Sequence, residues 1–170
     1  MQFLTEQYRE LNAQLHAQNP GYGTNGYKHL DSIMMLAQRL DTQDILDYGC
    51  GKSTLAINLG FPIQQYDPAI PKFAAEPRPA DIVTCTDVLE HIEPYYIDDV
   101  LDHLQQLTKK VCFVVISTTP ARKTLPDGRN AHLIQKPAKW WMDRLWDRFE
   151  LAKFELYDIE FRAVLMSKQS

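Results

Sequence analysis

Residues 47–54, DYGCGKST, follow a short apolar run and combine two kinds of ligand-binding loop. The end, Gly-Lys-Ser-Thr, is typical of the phosphate loop of nucleoside triphosphatases, in which backbone amides surround the phosphates. The start, Asp-x-Gly-x-Gly, is typical of a glycine loop that turns sharply after a strand and leaves room for a ligand against the backbone. The two interpretations imply different substrates, and the surrounding sequence decides between them.

The spacing of the glycines excludes the phosphate loop. That loop needs a glycine five residues before the glycine of Gly-Lys-Ser/Thr, and Leu46 occupies the position, inside a predicted strand at residues 44–48. Asp67, after the next predicted strand, lies roughly where a dinucleotide-type site places the acid that binds the ribose hydroxyls. The third glycine of a dinucleotide fingerprint is replaced by Ser53, which disfavours NAD and FAD.

Short apolar segments alternate with amphipathic ones, which predicts an α/β fold with a doubly wound, mostly parallel sheet. The continuous apolar run at residues 111–117 is expected of a strand that is covered on both faces. Two C-terminal segments, 154–160 and 161–168, are predicted to form an antiparallel hairpin at the sheet edge. The other predicted strands are residues 44–48, 62–66 and 81–86, and the predicted helices lie at residues 4–15, 30–40, 53–59 and 94–107 and from Pro137.

The 170 residues suit one domain, which we divide into N-terminal helices with a lid (1–43), a cofactor-binding core (44–117) and a substrate loop, helix and hairpin (118–170). A net charge of -4 disfavours nucleic acid as a partner. The longest apolar run is too short to span a bilayer, and no secretory signal is visible. Three cysteines without metal-ligand spacing indicate reduced core thiols, no metal and a cytoplasmic location. The sequence does not indicate an oligomeric state.

Three segments, ILDYGCGKS (45–53), QQYDP (64–68) and DIVTCTDVLEHI (81–92), together resemble the class I S-adenosylmethionine-dependent methyltransferases. The resemblance covers most of residues 45–117, and DVLEHI (87–92) is its most specific part. The segment LPDGRNAHLIQKPAKWW (125–141) is similar to a subgroup of short bacterial and phage methyltransferases. The resemblance implies S-adenosylmethionine as the cofactor and S-adenosylhomocysteine as the product.

The resemblance also assigns roles to individual residues. Gly49 and Gly51 would cradle the cofactor, Asp47 would lie near its amino-acid end, and Asp67 would bind the ribose. The strand end at residues 86–88 would line the adenine and methyl side. The full predicted cofactor-binding set is Asp47, Gly49, Cys50, Gly51, Ser53, Asp67, Pro68, Ala69, Thr86, Asp87 and Val88.

The sequence departs from the family pattern at two places. Ser53 stands where family members usually have glycine. Residues 68–80, PAIPKFAAEPRPA, are rich in proline and too short for the helix and strand that the family usually has there. We therefore predict a trimmed sheet, with the adenine held by Ala69, Ile70 or a neighbouring backbone amide.

Methyl transfer from a sulfonium is an in-line displacement, and a base often assists when the acceptor is oxygen or nitrogen. His91 and His132 are the candidate bases; alternatively, His91 begins a helix and only packs there. The loop after the last parallel strand is expected to hold an anionic or sugar-like acceptor, or else to fold back on itself. Its predicted substrate-binding residues are Arg129, Asn130, Lys136 and Trp140.

Other polar and aromatic residues receive structural predictions. Trp146 is expected in the core, and His16 and His103 are expected on solvated helix faces. Residues 22–29 form either a lid over the cofactor or an ordinary helix connection.

The predicted function is methyl transfer from S-adenosylmethionine to an oxygen or nitrogen of a small molecule, such as a sugar or nucleotide-like metabolite. The alternatives are a non-catalytic protein that binds S-adenosylmethionine or S-adenosylhomocysteine, and an enzyme that cleaves S-adenosylmethionine. Neither membrane nor nucleic acid is an expected partner.

Overall fold

The computed structural model describes residues 3–168, which form a six-stranded sheet flanked by helices. The strand order is β2-β1-β3-β4-β6-β5, with β1 to β4 parallel and β6 antiparallel to both β4 and β5. This arrangement confirms the predicted α/β class and the C-terminal hairpin. The strands are β1 (Ile45–Tyr48), β2 (Gln64–Tyr66), β3 (Ala80–Thr86), β4 (Thr108–Ser117), β5 (Phe149–Leu156) and β6 (Glu160–Ser167).

Helices cover both faces of the sheet, and consecutive strand residues point to opposite faces. Ile45 and Ile82 pack with α2 and α3, whereas Leu46 and Val83 pack with α1, α4 and α5. The helices are α1 (Glu6–Gln18), α2 (Leu30–Leu40), α3 (Thr54–Leu59), α4 (Ile97–Leu107) and α5 (Ala138–Arg148), and short 3₁₀ turns lie at Asn25–His29, Pro71–Phe73, Leu89–His91 and Pro94–Tyr96.

The segment between β2 and β3 is shortened, as its length and prolines predict. No strand lies between Asp67 and Ala80. The backbone instead closes a tight loop in which the Asp67 amide donates to Phe73 O at 3.0 Å and the Phe73 amide donates to Ile70 O at 2.8 Å. The sheet therefore ends at β2, which leaves the loop after β2 beside the carboxyl end of β1.

The first strand of the hairpin is formed by other residues than predicted. β5 begins at Phe149, directly after α5, and ends at Leu156. Residues 157–159 form the turn, which the Tyr157 amide closes by donating to Glu160 O at 2.9 Å. The predicted strand 154–160 therefore included the turn, because no glycine or proline separates the helix from the strand.

Two of the predicted side-chain environments are wrong. Trp146 is 52% exposed, and Trp141 is the tryptophan in the core, because α5 buries the face that carries Trp141, Met142 and Leu145. His103 is buried because it shares the inner face of α4 with Leu104. Its Nε2–H donates to Glu76 Oε1 at 2.8 Å, and its Nδ1 accepts from the Tyr48 hydroxyl at 3.0 Å.

The loop after β1 requires glycine at its first position. Gly49 has φ +79°, and a Cβ there would overlap the Val88 side chain. Gly60, at the end of α3, has nearly the same backbone conformation (φ +78°), but a Cβ there would meet nothing within 4 Å. Comparing substitutions at the two glycines therefore distinguishes the cost of backbone strain from the cost of a steric clash.

We expect Gly60→Ala to lower the free energy of unfolding by about 1–2 kcal/mol, the cost of a left-handed conformation for a residue with a Cβ. Gly49→Ala carries the same cost and must also displace Val88, which adds about 1–3 kcal/mol. Urea unfolding followed by circular dichroism measures both variants. Equal losses would show that Val88 does not press on the loop.

Candidate active site

A cavity of about 580 Å³ lies at the carboxyl ends of the parallel strands. Its walls come from the loops that follow β1, β2, β3 and β4, since the ends of parallel strands meet at one edge of a sheet. The N-terminal segment supplies a further part of the wall, including Tyr8, His16 and residues 21–23, and the start of β6 adds Glu160 and Arg162. One space therefore collects residues from distant parts of the chain.

The predicted cofactor-binding residues lie together around this cavity, with one exception. Ser53 does not line it and instead begins α3 in a left-handed conformation, with φ +63°. That conformation favours glycine, which is the residue that the family pattern has there. The residues that line the cavity are Asp47, Gly49, Cys50, Gly51, Asp67, Pro68, Ala69, Thr86, Asp87 and Val88.

Asp67 is held by backbone amides on two sides. Its Oδ2 accepts from the Gly51 amide at 3.1 Å, and its Oδ1 accepts from the Ala69 amide at 3.0 Å. Burial raises the pKa of this carboxyl, while the two amide hydrogen bonds oppose the rise. Each carboxylate oxygen keeps acceptor capacity for a further donor, such as a ribose hydroxyl.

Asp47 lies deeper, at the end of β1. Its side chain accepts from the Thr84 hydroxyl at 3.2 Å. Burial raises the pKa of Asp47 to about 7, and the nearby Asp67 adds to the rise. A cationic group bound beside Asp47 would favour the ionised carboxylate.

His91 and His132 lie side by side at the other end of the cavity. Their ring centroids are 4.8 Å apart and the rings are nearly perpendicular. His91 Nδ1 is 2.7 Å from Ala131 O, and His132 Nδ1 is 2.6 Å from Thr119 O. A carbonyl oxygen only accepts, so Nδ1 carries the proton in each ring and the lone pair lies on Nε2.

The surroundings keep His91 neutral. Burial lowers the pKa of His91 to about 4, and the neighbouring His132 contributes to the shift. The Tyr22 hydroxyl lies 3.3 Å from His91 Nδ1, and the Tyr8 hydroxyl donates to the His91 carbonyl. The N-terminal segment therefore fixes both the ring and the backbone of His91.

Glu90 is a fully buried acid that the sequence analysis did not single out. Its Oε1 accepts from the Ser117 amide at 3.0 Å, and its Oε2 has no hydrogen-bond partner in the part of the chain that the structure describes. Burial raises the pKa of Glu90 to about 8, with a further contribution from Asp87. The signal available in the sequence was a charged residue inside the DVLEHI motif, directly before a candidate base.

The lysine of the GKST sequence anchors the N-terminal segment. Lys52 Nζ donates to Asn19 O at 2.8 Å and to Pro20 O at 2.9 Å, and the Lys52 amide donates to Gly23 O at 2.9 Å. Asn25 Nδ2 donates to Asp87 Oδ2 at 2.9 Å. These contacts hold the segment against the cofactor loop.

His16 is wrongly predicted to be solvated. It lines the cavity, packs edge-on against Tyr22 with ring centroids 4.6 Å apart, and lies against Gly23. Burial lowers the pKa of His16 to about 4, and Lys52 contributes to the shift. The periodicity of α1 could not reveal this contact, because Gly23 belongs to another element.

None of the four predicted substrate-binding residues lines the cavity. Asn130 positions its loop, since its side chain accepts from the Ala121 and His132 amides at 2.9 Å and donates to Ala121 O at 2.9 Å. Arg129 pairs with Asp127. The remaining two lie outside as well: Lys136 is exposed, and Trp140 has the Arg144 guanidinium over its ring. Direct substrate contact by these residues stays a prediction.

Cationic side chains from other positions line the cavity, and the sequence analysis did not identify them. Arg162 pairs with Glu160 at 2.9 Å, and Lys123 lies over the Tyr22 ring, with its Nζ 5.3 Å from the centroid. Arg122 and Lys28 also line the cavity and form no ion pair with any of residues 3–168. No helix in the described part of the chain is long and apolar enough to cross a membrane.

A family model described as a methyltransferase domain matches residues 9–167 of this chain. No curated protein matches the chain significantly. Among solved structures, 1,6-didemethyltoxoflavin-N1-methyltransferase from Burkholderia thailandensis, with bound 1,6-didemethyltoxoflavin and S-adenosylhomocysteine, is 11% identical. That match has a TM-score of 0.69 and covers 96% of this chain and 90% of the other.

Two further structures share the fold. The DhpI complex with S-adenosylhomocysteine is 15% identical, with a TM-score of 0.64 and coverage of 96% of this chain and 98% of the other. Magnesium protoporphyrin IX methyltransferase from Synechocystis PCC 6803, also with bound S-adenosylhomocysteine, is 18% identical, with a TM-score of 0.60 and coverage of 84% of each chain. Since one family model accounts for nearly the whole sequence, this chain belongs to the methyltransferase domain family, and the predicted class I S-adenosylmethionine-dependent methyltransferase is confirmed.

Proposed function

We propose that this enzyme transfers the methyl group of S-adenosylmethionine to an oxygen or nitrogen of a small, anionic acceptor bound beside His91 and His132. The main support for this proposal is that a single cavity connects the glycine loop with the two histidines. Its wall includes the glycine loop and Asp67 as well as both histidines. A volume of about 580 Å³ lies in the range of small-molecule sites.

The cofactor is proposed to lie across the ends of β1, β2 and β3. Gly49 and Gly51 would contact its backbone-facing side, Asp67 would accept hydrogen bonds from the ribose hydroxyls, and Asp47 would face the ammonium group. The adenine would lie against Ala69 or its neighbours. The preorganised Asp67 carboxylate supports this orientation, because its two amide contacts fix it before a ligand binds.

The charge of the cavity wall supports an anionic acceptor. Lys28 and Arg122 have no acidic partner in residues 3–168, and Lys123 is engaged only by the Tyr22 ring. A carboxylate or phosphate group on the acceptor would form charge-assisted hydrogen bonds with such side chains. Sugar and nucleotide phosphates and small hydroxy or amino acids belong to this class. The enzyme is proposed to act in the cytoplasm as a single domain, without a membrane or nucleic-acid partner.

The proposed reaction is an in-line displacement. The acceptor oxygen or nitrogen attacks the methyl carbon, the carbon–sulfur bond breaks, and its electron pair remains on sulfur as the neutral thioether of S-adenosylhomocysteine. An imidazole Nε2 receives the acceptor proton, which both rings permit because Nδ1 already carries a hydrogen.

We expect S-adenosylhomocysteine to bind in calorimetric titration and ATP with magnesium not to bind. Asp67→Asn should weaken S-adenosylhomocysteine binding by about 10- to 100-fold, because hydrogen bonds to a charged group contribute about 1.5–3 kcal/mol. Asp99→Asn on the exposed face of α4 is the matched control and should leave the affinity unchanged. Binding of ATP alone would contradict the proposed orientation and reinstate the phosphate loop.

Replacing His132 or His91 by Ala should lower kcat by about 100-fold or more, since loss of a general base costs about 10²–10⁴ in rate. The affinity for S-adenosylhomocysteine should change by no more than a few-fold. The acceptor for this assay comes from a panel of phosphorylated, carboxylated and neutral hydroxy or amino metabolites. His103→Gln, outside the cavity, should lower the thermal midpoint instead of kcat. Normal turnover in both alanine variants would refute the base assignment.

Two alternatives give different products. Incubation with S-adenosylmethionine alone should leave it intact; its breakdown without any acceptor would indicate a cleaving enzyme. Tight S-adenosylhomocysteine binding without methylation of any compound in the panel would favour a non-catalytic binding protein.

A further inference from the structure

We propose that Glu90, His91 and His132 form a binding site for a divalent transition-metal ion at the acceptor end of the cavity. One nitrogen of each ring and one carboxylate oxygen of Glu90 lie within 4.8 Å of one another. Glu90 and His91 belong to the turn after β3, and His132 belongs to the loop after β4. No metal-ligand spacing is visible in the sequence because His132 lies far along the chain from the other two residues.

Both histidines are held as metal-bound histidines usually are. A metal-ligating histidine commonly donates its second ring N–H to a backbone carbonyl or a carboxylate, which fixes the ring and its tautomer. Here the Nδ1–H of His91 donates to Ala131 O at 2.7 Å, and that of His132 donates to Thr119 O at 2.6 Å. Each ring therefore keeps its Nε2 lone pair for another partner. Because neither Nε2 carries a hydrogen, the two rings cannot form a hydrogen bond with each other through these atoms.

The carboxylate of Glu90 independently indicates a ligand, because one of its oxygens is buried and unpaired among the described residues. Its side chain is 0% exposed, and its Oε1 is fixed by the Ser117 amide at 3.0 Å. Its Oε2 is buried without a hydrogen-bond partner among residues 3–168. A buried acceptor without a donor is costly, and a cation between Glu90 and the two imidazoles would remove that cost.

The donor set selects the class of ion. Two imidazole nitrogens and one carboxylate oxygen suit Zn²⁺, Mn²⁺ or Fe²⁺ and leave coordination positions open for water or substrate. Zn–N distances are about 2.0–2.1 Å, so the three ligand atoms must approach one another by a movement on the order of 1 Å. His132 lies on a loop outside the regular helices and strands, which can make this movement.

The catalytic consequence rests on the proposed function. An acceptor hydroxyl bound to the ion would have a lowered pKa and would release its proton to solvent water. The resulting oxygen anion would attack the methyl carbon, and the electron pair of the broken carbon–sulfur bond would remain on sulfur. With the ion bound, solvent water would replace the imidazole as the proton acceptor, and the two histidines proposed as bases would act as metal ligands.

The full chain is treated with EDTA and dialysed. It is then titrated with ZnCl₂ in a calorimeter, and with MnCl₂ while the electron paramagnetic resonance signal of free Mn²⁺ is followed. We expect one ion per chain for at least one of the two metals. Glu90→Gln keeps the shape of the side chain but removes its charge, and it should weaken binding by at least about tenfold, as should His132→Gln on the loop. His103→Gln, a buried histidine elsewhere, should leave the metal affinity unchanged.

Each protein is also titrated with S-adenosylhomocysteine, which reports on the cofactor site separately. Absence of one-to-one metal binding in the parent protein, or equal binding in Glu90→Gln and His132→Gln, would overturn the metal site and indicate that a proton on Glu90 satisfies the cluster. Metal binding with the expected variant losses but without S-adenosylhomocysteine binding would contradict the proposed function and leave the metal site standing.

Discussion

The reversal of the chain after β1 is the constraint on which the site depends. The Gly49 and Cys50 amides both donate to Tyr66 O, at 2.7 and 3.1 Å, so the loop is tied to the end of β2. On its other sides the loop meets the Val88 side chain and the Gly23 backbone. Three distant segments therefore approach one short loop, in which a Cβ at Gly49 would overlap Val88 and a Cβ at Gly51 would lie 2.8 Å from Gly23 O. The cavity exists because this approach is so close.

The same loop explains why GKST resembles a phosphate loop without being one. A phosphate-loop lysine reaches toward the phosphates, whereas Lys52 donates to the carbonyls of Asn19 and Pro20. Thr54 repeats the pattern, since its hydroxyl donates to Thr24 O at 3.0 Å. The polar end of the motif thus binds the protein's own N-terminal segment. That segment in turn supplies Tyr22 to the cavity wall, where an acceptor would be selected.

Local sequence signals predicted the parts of the fold that depend on local forces. Continuous apolar runs located the parallel strands, and the prolines after Asp67 predicted the shortened edge. The first hairpin strand was misplaced because β5 follows α5 without a breaking residue. His103 and His16 were misassigned because their burial depends on Tyr48 and Gly23, which lie in other elements. The grouping of the glycine loop with Asp67 was predictable from the motif, whereas the opposite end of the cavity is formed by loops whose contacts are tertiary.

Glu90 joins these two sides of the site. Its position after β3 is a consequence of the motif, yet its burial comes from β4, whose Ser117 amide binds Oε1. The Ile134 amide donates to its main-chain carbonyl at 3.0 Å, which ties the loop that carries His132 to the same turn. Desolvation of a carboxyl is compensated only by hydrogen bonds, a proton or a cation. The backbone amides of Ser117 and of Glu90 itself supply hydrogen bonds to the carboxyl, whereas the lone pairs of the two neighbouring imidazoles cannot donate to it. A proton on Glu90 or the proposed metal ion would complete the compensation, and either one would join Glu90 to His91 and His132.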